Sequence, residues 1–447
     1  MVLHFSKDIK TPDPVPQEGI QRAVAIMSEG RMYRYNHSDN QSDVSLCERE
    51  FAKYVGLKYA VGVNSCGSAI FLALKCVGVQ SNDVVLCNGF SFTAVPSAVE
   101  HCGARPVFVD CTDHYVIDPT DLERKAKMHN ARYLCLTYMR GKVPDMCAVM
   151  DVCRRLKITL VEDAAHALGV RWNGTLMGNF GKAACFSSQS YKLLNSGEGG
   201  FLATNDDVIA AKAICYAGCY EKLYEKHIVA PPKAVFERIK RETPNYSLRM
   251  SNLAASVLLP QIATIEQRIQ TYNRRYYRLQ AQLESGSAYV RVPRQYPAVS
   301  IVGDSIQFNL VGECVTPAAT QAFLSACAKR GVPVSIFGDK DNARNIRNWR
   351  YCDLSDLNVP STEEMIPKAC DVRLPLQFDD GDFDVMGAVI LEAMNETLPP
   401  CGPNSCVRAP YAHTNGHAYA HTNEHTTYTT NGHTNGHLPA NVQVEAL

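Results

Sequence analysis

The segment YAVGVNSCGSAIFLALKCVGVQSNDVVLCNGFS, residues 59–91, decides the fold. It begins with an apolar β-rich run, passes through small residues into the helical pattern AIFLALKCVGV, and ends in a second β-rich run, DVVLCNGFS. Nearly continuous apolar strands with helices between them are typical of a parallel sheet that helices cover on both faces. The segment therefore predicts a strand, a helix and a second strand of such a sheet.

The same alternation continues through five further β-rich runs. They are RPVFVDC (105–111), RYLCLTYM (132–139), ITLVEDAA (158–165), AACFSSQS (183–190) and GGFLATN (199–205). We therefore expect an α/β fold with a mostly parallel, mixed sheet. In such sheets a ligand binds where the carboxyl ends of the strands meet the following loops. This rule selects four loops, which are residues 65–68, 90–93, 163–166 and 187–192.

A change of pattern after the last of these runs predicts a second domain. Residues 251–285 indicate a long helix, interrupted near Pro260, that leads into a smaller C-terminal α/β domain. The final residues repeat His-Thr-Asn, contain six of the 13 histidines, and are expected to be disordered, with metal binding as the less favoured alternative. The predicted divisions are an N-terminal arm (1–25), a large domain (26–270), a small domain (271–398) and the tail (399–447).

Composition excludes several classes of function. The 45 basic and 45 acidic residues give no net charge, so there is no electrostatic basis for binding nucleic acid or an anionic membrane. The 18 cysteines are scattered, and Cys147 and Cys153 are too far apart for a zinc pattern, so no metal site is expected. We interpret the cysteines as buried thiols of a reducing compartment. Without a signal-like or membrane-spanning run, the sequence predicts a cytoplasmic protein.

Small residues follow the first strand and an aromatic residue follows the second. The stretch Ser65–Ser68 exposes backbone N–H groups at the start of a helix, which suits a phosphate dianion, although many strand–helix turns share this composition. Its candidate phosphate ligands are Ser65, Cys66 and Gly67. Phe92 lies just beyond the second strand, where its ring can stack on a planar ligand. A core aromatic is at least as good an interpretation of Phe92.

Two polar residues follow a buried strand in VEDAAHALG. Asp163 ends the strand, where a carboxylate is unfavourable unless a cation pairs with it. A protonated heterocyclic nitrogen meets that need. His166, three residues further on, lies on the same side of the turn and can hydrogen-bond the same ligand. A helix N-cap is an equally good interpretation of Asp163 taken alone.

A hydroxyl and an amine stand five residues apart in FSSQSYKLLNSGEGG, residues 186–200. Ser187 can bind a phosphate and Lys192 can bind an aldehyde, so the pair can hold both ends of one cofactor. Together with a phosphate-binding turn, a stacking ring and a buried acid, they match the requirements of pyridoxal phosphate (PLP). Lys192 is therefore the candidate catalytic residue, with Asp163 as its partner in the chemistry.

Five stretches carry a more specific signal: KYAVGVNSCGSAIFLAL, FSFTAVPSAVEHCGARPVFVD, VEDAAHALG, CFSSQSYKLLNSGEGG and NYSLRMSNLAA. Here the chain resembles the DegT/DnrJ/StrS family, the sugar-aminotransferase branch of the fold-type I PLP enzymes, over roughly residues 25–395. The resemblance implies an aspartate-aminotransferase-like large domain, a smaller C-terminal α/β domain, and PLP as the cofactor. It also implies a homodimer with its active sites at the subunit interface.

Several residues match functional positions of that family. Lys192 matches the Schiff-base lysine, Asp163 the partner of the pyridine nitrogen, and His166 the residue beside the ring oxygen. Phe92 matches the stacking aromatic residue. Cys66, Gly67 and Ser187 match the residues that contact the cofactor phosphate in the family.

The resemblance is weaker on the substrate side. In the family an asparagine of the neighbouring subunit reaches the phosphate, and we assign this role to Asn245, with Arg249 as a substrate candidate. The Trp-containing motif usual in members that aminate nucleotide sugars is replaced by SEGRMYRYNHSDNQSD. In this segment Arg34 lies between Tyr33 and Tyr35. An arginine in such a setting can bind a carboxylate or phosphate through two hydrogen bonds. A polar surface turn is an equally good interpretation of this segment.

These observations support three hypotheses of function. The first is a PLP-dependent aminotransferase that moves an amino group from a glutamate- or glutamine-like donor to a ketosugar or a related small keto substrate. The second is a PLP enzyme of another reaction type, such as elimination, decarboxylation or carbon–carbon chemistry on an amino acid. The third is a non-enzymatic regulator that retains the fold, which the presence of Lys192, Asp163 and Ser187 disfavours.

Overall fold

Three sheets are present in the computed structural model, which describes residues 3–312 and 315–398. The tail predicted to be disordered, residues 399–447, lies outside the described residues. The strands are β1 (Tyr59–Val63), β2 (Val84–Asn88), β3 (Arg105–Val109), β4 (Tyr133–Thr137), β5 (Thr159–Asp163), β6 (Arg171–Trp172), β7 (Thr175–Leu176), β8 (Ala183–Ser187), β9 (Gly200–Thr204), β10 (Val290–Arg291), β11 (Val299–Ser300), β12 (Ser305–Leu310), β13 (Ser335–Ile336) and β14 (Ala369–Arg373).

The largest sheet has seven strands in the order β1-β9-β8-β5-β4-β2-β3. The pairs β2–β3, β2–β4, β4–β5 and β5–β8 are parallel. Only β9 runs the other way, and it pairs antiparallel with both β1 and β8. The prediction of a mostly parallel, mixed sheet is confirmed.

Thirteen α-helices are found within the described ranges. They are α1 (Gln17–Glu29), α2 (Asp43–Val55), α3 (Cys66–Cys76), α4 (Ala94–His101), α5 (Pro119–Met128), α6 (Met146–Leu156), α7 (Asp207–Gly218), α8 (Lys233–Ile239), α9 (Asn252–Ile262), α10 (Ile265–Gly286), α11 (Pro317–Lys329), α12 (Pro360–Met365) and α13 (Asp380–Thr397). None of them combines the length and the apolar composition needed to cross a lipid bilayer.

Both faces of the seven-stranded sheet are buried. On β4, Leu134 and Leu136 pack in a cluster with Phe51, whereas Cys135 between them packs in a cluster with Ile70 on the opposite face. Successive side chains of a strand point to opposite faces, so a strand covered on both sides needs apolar residues at every position. This explains the continuous apolar runs of the sequence.

The predicted helix over residues 251–285 is two helices, and its break is not at the proline. Pro260 lies inside α9, and the chain leaves the helical conformation at Thr264, whose φ and ψ are −106° and 5°. Proline removes one hydrogen-bond donor, but α9 continues for two residues beyond it. The predicted interruption near Pro260 is present, and it lies between Ile262 and Ile265, just beyond the proline.

A second sheet, in the order β10-β12-β14-β13, lies in the C-terminal part of the described residues. Its core contains side chains of α10, α11 and α13, and also Phe5 from near the N-terminus. The Phe5 amide donates to the Arg330 carbonyl at 2.8 Å, so the start of the chain is attached to this sheet. The predicted division at residues 270 and 271 falls inside α10, and the domain boundaries stay a prediction.

Candidate active site

One cavity lies at the carboxyl ends of the central strands. It has a volume of about 610 Å³ and is lined by side chains from all four predicted loops. The predicted residues that line it are Ser65, Cys66, Gly67, Phe92, Asp163, His166, Ser187 and Lys192. The structure therefore brings the predicted lysine, acid, histidine, aromatic ring and phosphate-binding turn together.

Lys192 is a buried amine. It follows β8, and its Nζ lies 2.7 Å from Nε2 of His166. Burial lowers the pKa of Lys192 to about 7, the positive charges of Arg140 and Arg344 add to the lowering, and Asp304 opposes it. Much of the amine is therefore neutral near pH 7, and a neutral amine is the nucleophilic form.

His166 is the hydrogen-bonding partner of that amine. Burial lowers its pKa well below the usual value, and the positive charge of Lys192 acts in the same direction. A neutral imidazole has one donor and one acceptor nitrogen, so it can either accept a hydrogen bond from Nζ or donate one to it. The contact fixes where the amine points.

Asp163 ends β5 and is 3% exposed. Burial raises the pKa of its carboxyl, although Oδ1 accepts a hydrogen bond from the Ala165 N–H at 3.2 Å and Cys66 Sγ lies 3.9 Å away. A carboxylate in this position is stabilised by a cation that shares its site. The cavity therefore presents an acid suited to a positively charged partner.

The turn after β1 forms the other end of the cavity. Ser65 Oγ accepts a hydrogen bond from the Ser68 amide at 3.1 Å and so begins α3. A Cβ atom built on Gly67 meets nothing closer than 3.8 Å, which leaves open space in front of the helix N-terminus. Ser187, 8% exposed, lines the same cavity. This arrangement suits an anionic group such as phosphate.

Gly200 supports that turn from behind. A Cβ atom at this position would lie 2.7 Å from the backbone nitrogen of Cys66 and 2.7 Å from the carbonyl oxygen of Phe186. Backbone atoms on both sides cannot yield as a flexible side chain does. The glycine in the GEGG stretch therefore allows strand β9 to approach the start of α3.

We expect Gly200→Ala to lower the free energy of unfolding by about 1–3 kcal/mol, because the methyl group overpacks this contact. The same variant should bind PLP more weakly, since the turn has to move. Urea unfolding and PLP titration measure the two effects. Gly381→Ala is the matched control, because the atom nearest to its added Cβ belongs to a side chain, Asp379 Oδ1 at 3.3 Å, and not to the backbone. Equal stability of the two variants would contradict the role given to Gly200.

Two phenylalanines in NGFSFTAVP occupy different environments. Phe90 is fully buried against Tyr115 and Phe337. Phe92 is 39% exposed, lines the cavity, and has the Arg344 guanidinium 5.3 Å from its ring centre. The core-aromatic interpretation applies to Phe90, whereas the ring of Phe92 is available to a ligand.

Arg34 and Tyr35 are not at the cavity. The guanidinium of Arg34, 2% exposed, donates to both carboxylate oxygens of Glu48 at 2.7 and 3.0 Å. His227 links Glu48 to Tyr35. Its Nδ1 lies 3.0 Å from a carboxylate oxygen of Glu48, and its Nε2 lies 2.9 Å from the Tyr35 hydroxyl. Burial raises the pKa of Glu48, but Arg34 and His227 outweigh it and bring the pKa to about 2. The group is thus a buried ionic network, neither a substrate clamp nor a surface turn.

Three other predicted residues also lie outside the cavity of this chain. The Tyr33 hydroxyl is 3.2 Å from that of Tyr220, and the Arg249 guanidinium lies 5.5 Å from the Tyr33 ring centre. Asn245 is exposed, and its Oδ1 accepts a hydrogen bond from the Ser247 amide at 2.7 Å. The substrate role of Tyr33 and Arg249 and the subunit-bridging role of Asn245 stay predictions.

Sequence reasoning missed three arginines and a tyrosine of the cavity wall. Arg140 follows β4, so the rule that selected the other strand ends applies to it as well. Arg344 and Arg373 come from the part of the chain that forms the second sheet, and no local pattern marks them. The Arg373 guanidinium lies 4.1 Å from the ring centre of Tyr191, which also lines the cavity.

Comparison with known proteins gives one family. The model of the DegT/DnrJ/EryC1/StrS aminotransferase family matches residues 18–365. The spore coat polysaccharide biosynthesis protein SpsC of Bacillus subtilis is 32% identical over 49% of this chain and 56% of its own length. The dTDP-3-amino-3,4,6-trideoxy-alpha-D-glucose transaminase of Micromonospora megalomicea is 33% identical over 49% and 55%. The GDP-perosamine synthase of Caulobacter vibrioides is 30% identical over 50% and 57%. The matched region thus spans about half the length of these relatives.

Solved structures share the architecture. Helicobacter pylori PseC, described as an aminotransferase in the biosynthesis of pseudoaminic acid, aligns with a TM-score of 0.75 over 88% of this chain and 100% of its own, at 14% identity. The 3-amino-5-hydroxybenzoic acid (AHBA) synthase aligns with a TM-score of 0.73 over 87% and 100%, at 22% identity. At these identities the likeness concerns the fold.

Proposed function

Because the chain belongs to the DegT/DnrJ/EryC1/StrS aminotransferase family, we propose that it is a PLP-dependent aminotransferase. It transfers an amino group from an amino-acid donor of the glutamate or glutamine type to a ketosugar or a related small keto substrate. The observation that carries the proposal is the buried Lys192 amine, 2.7 Å from His166 in the same cavity as Asp163. An amine with a pKa of about 7 and a buried acid are two groups that PLP chemistry requires.

The residues of the cavity fit PLP. Burial raises the pKa of Asp163, because its hydrogen bonds and the charge of Lys192 do not fully compensate for the loss of water. A protonated pyridine nitrogen beside the carboxylate would provide the missing positive charge. The open space at Gly67 and the start of α3 suit the phosphate. Phe92 offers a partly exposed ring for the planar heterocycle. These residues, with Lys192 for the aldehyde, would hold the cofactor.

Each of these residues has a separate role in the reaction. When bound, PLP supplies an aldehyde that captures amines and an electron-poor ring that withdraws electrons from the attached carbon. Asp163 keeps the proton on the pyridine nitrogen. Lys192 Nζ, about half neutral at pH 7, would accept the proton from the substrate Cα and deliver it to the cofactor carbon that bore the aldehyde. His166 orients that Nζ through its 2.7 Å contact.

Two relatives support the choice of acceptor. The proteins called GDP-perosamine synthase and dTDP-3-amino-3,4,6-trideoxy-alpha-D-glucose transaminase are named for sugar chemistry. The family model matches residues 18–365, which include the four strand-end loops of the cavity. We therefore favour a ketosugar or a similar keto compound, in a specialised biosynthetic pathway.

We also propose that the protein is a cytoplasmic homodimer. On α1, Ile20, Val24 and Met27 are 44%, 51% and 51% exposed and share one face of the helix at spacings of four and three residues. Such an apolar face is typical of a surface that another protein covers. The fifteen cysteines within the described ranges are all free thiols, which suits a reducing compartment.

The test is a half-reaction. Purified protein loaded with PLP should absorb visible light, and borohydride should fix the cofactor on Lys192, as peptide mass spectrometry can show. Glutamate or glutamine should then convert the cofactor to its pyridoxamine form. A protein that takes up no PLP would refute the cofactor assignment. Uptake without conversion by any common donor would favour elimination, decarboxylation or carbon–carbon chemistry.

The pH dependence of cofactor uptake tests the state of the amine. We expect the rate of PLP uptake by the cofactor-free protein to rise with pH around a midpoint near 7, since protonated Nζ is not nucleophilic and the pKa of Lys192 is about 7. Stopped-flow absorbance measures the rate. Arg140→Gln should move the midpoint upward, because the charge of Arg140 helps to lower this pKa. The exposed Arg350→Gln is the control, and an unchanged midpoint in both variants would contradict the assignment.

A further inference from the structure

Three arginines surround the end of the cavity where Lys192 lies. We call Arg140, Arg344 and Arg373 the arginine cluster; all three line the cavity. The charges of all three act on the pKa of His166, the direct partner of Lys192. The cluster is therefore close to the reacting amine, whereas the candidate phosphate site is formed by the turn at Ser65–Gly67.

One member of the cluster has a counter-ion. Arg140 forms an ion pair with Asp371, and this carboxylate also accepts a hydrogen bond from the Gln307 amide at 3.0 Å. A second acid, Asp304, is half-buried. Loss of solvent raises its pKa, and the charges of Arg140, Lys192 and Arg373 oppose the rise. Arg140 is thus matched by the acids on its side of the cavity.

The other two arginines lack such partners. Within residues 3–312 and 315–398, neither the Arg344 nor the Arg373 guanidinium forms an ion pair or a hydrogen bond, and Arg344 Nε and Arg373 Nη1 are buried and unsatisfied. Arg344 lies over the rings of Phe92 and Phe337, and Arg373 lies over the ring of Tyr191.

Burial and the charge of Arg140 lower the pKa of Arg344 to about 10, although the charge of Asp371, which is paired with Arg140, opposes the lowering. Both side chains are half-buried, and each keeps one buried nitrogen without an acceptor. Such a cation is stabilised by an anion that pairs with it, so the two guanidinium groups offer an anion-binding site.

From this geometry we propose that Arg344 and Arg373 form a carboxylate subsite next to Lys192, and that the keto acceptor itself carries a carboxylate. A guanidinium binds a carboxylate through two parallel hydrogen bonds, and the aromatic faces hold each fork in place. The inference rests on the proposed aminotransferase function and narrows its substrate class.

We extend the carboxylate requirement from the amino donor to the keto acceptor, because both substrates of an aminotransferase react at the same amine. The reacting carbon of the donor and that of the acceptor have to reach Lys192 Nζ in turn, so the substituents of both meet the arginine cluster. A neutral ketone would leave both guanidinium groups without an anion, and the buried Arg344 Nε and Arg373 Nη1 without an ionic partner. An acceptor with a carboxylate satisfies them in both half-reactions.

The test compares two ligands that differ in charge alone. The PLP-loaded protein is titrated by calorimetry with a cyclohexanone carboxylate and with the matching cyclohexanone carboxamide. We expect the acid to bind roughly 10- to 100-fold more tightly than the amide, as charge-assisted hydrogen bonds provide. In Arg344→Gln and Arg373→Gln this ratio should fall toward one. In Arg350→Gln, an exposed arginine of the same segment as Arg344, it should stay as in the unmodified protein.

Single-turnover return of the pyridoxal absorbance gives a second readout. The pyridoxamine form should be reoxidised faster by the acid than by the amide, and the two variants should lose this difference. A ratio near one in the unmodified protein, or an unchanged ratio in both variants, would overturn the carboxylate subsite. Uridine diphosphate binding that is lost in the same two variants would also overturn it, in favour of a nucleotide-linked anion.

Failure of this inference is distinguishable from failure of the proposed function. The borohydride adduct on Lys192 and the donor half-reaction report the aminotransferase chemistry without any acceptor. If both are present while the acid and the amide bind equally, only the carboxylate subsite is refuted. If both are absent, the proposed function fails, and the calorimetric ratio still reports whether the cluster binds a carboxylate.

Discussion

A Lys192→Arg protein is expected to lose amino transfer by at least about 10³-fold, because arginine has a similar length but stays protonated and provides no neutral amine for general base catalysis. It should also yield no borohydride-fixed cofactor at residue 192. Single-turnover absorbance with glutamate and mass spectrometry of the reduced protein measure the two losses. The expectation depends on the low pKa of Lys192, about 7, which gives the amine its reactivity.

Lys182→Arg is the matched control. Lys182 is exposed and lies just before β8, whereas Lys192 lies just after it. The control should react as the unmodified protein does. Turnover retained by Lys192→Arg, or a cofactor adduct at Lys182, would contradict the assignment of Lys192 as the catalytic amine.

An Asp163→Asn protein is expected to convert its cofactor with glutamate about 10²–10³-fold more slowly, the usual effect of removing one preorganised electrostatic group. Asparagine has the same shape, and its side-chain oxygen can still accept the hydrogen bond from the Ala165 amide. It lacks the negative charge that keeps a proton on the pyridine nitrogen. Stopped-flow absorbance in the donor half-reaction measures the rate.

Stability separates this effect from misfolding. Burial raises the pKa of Asp163, so ionisation disfavours the folded state, and the cofactor-free Asp163→Asn protein should be at least as stable as the unmodified one. Urea unfolding checks this, and Asp356→Asn, at an exposed position, is the control. A normal donor half-reaction in Asp163→Asn would remove Asp163 from the mechanism. A large loss of stability would show a structural role instead.

Much of the cavity was predictable from local patterns. Parallel strands place their carboxyl ends at one edge of a sheet, so loops far apart in sequence converge once the strand pattern is recognised. Asp163 and Ser187 end β5 and β8, His166 and Lys192 lie in the loops that follow, and all four line one cavity. Arg140 follows β4 and lines the same cavity, so the same rule predicts its position as well.

Other features could not be predicted from the sequence, because residue type and spacing do not show what surrounds a side chain in the folded protein. Phe90 and Phe92 are two residues apart, and only packing separates the core ring from the cavity ring. Arg34 lies in a polar segment that resembles a surface turn. Its burial depends on Glu48 and on His227, which is 193 positions away in the chain.

The sequence by itself determined the class of fold, the strand-end loops and the residue types for PLP chemistry, because each depends on local hydrophobic pattern and short motifs. Only the tertiary structure decided which charged residues face the cavity. Arg344 and Arg373 reach it through the second sheet, whereas Arg34 is neutralised by Glu48 inside the core. Whether a charged side chain is paired in the core or faces the cavity depends on its neighbours in space, and those neighbours are distant in sequence.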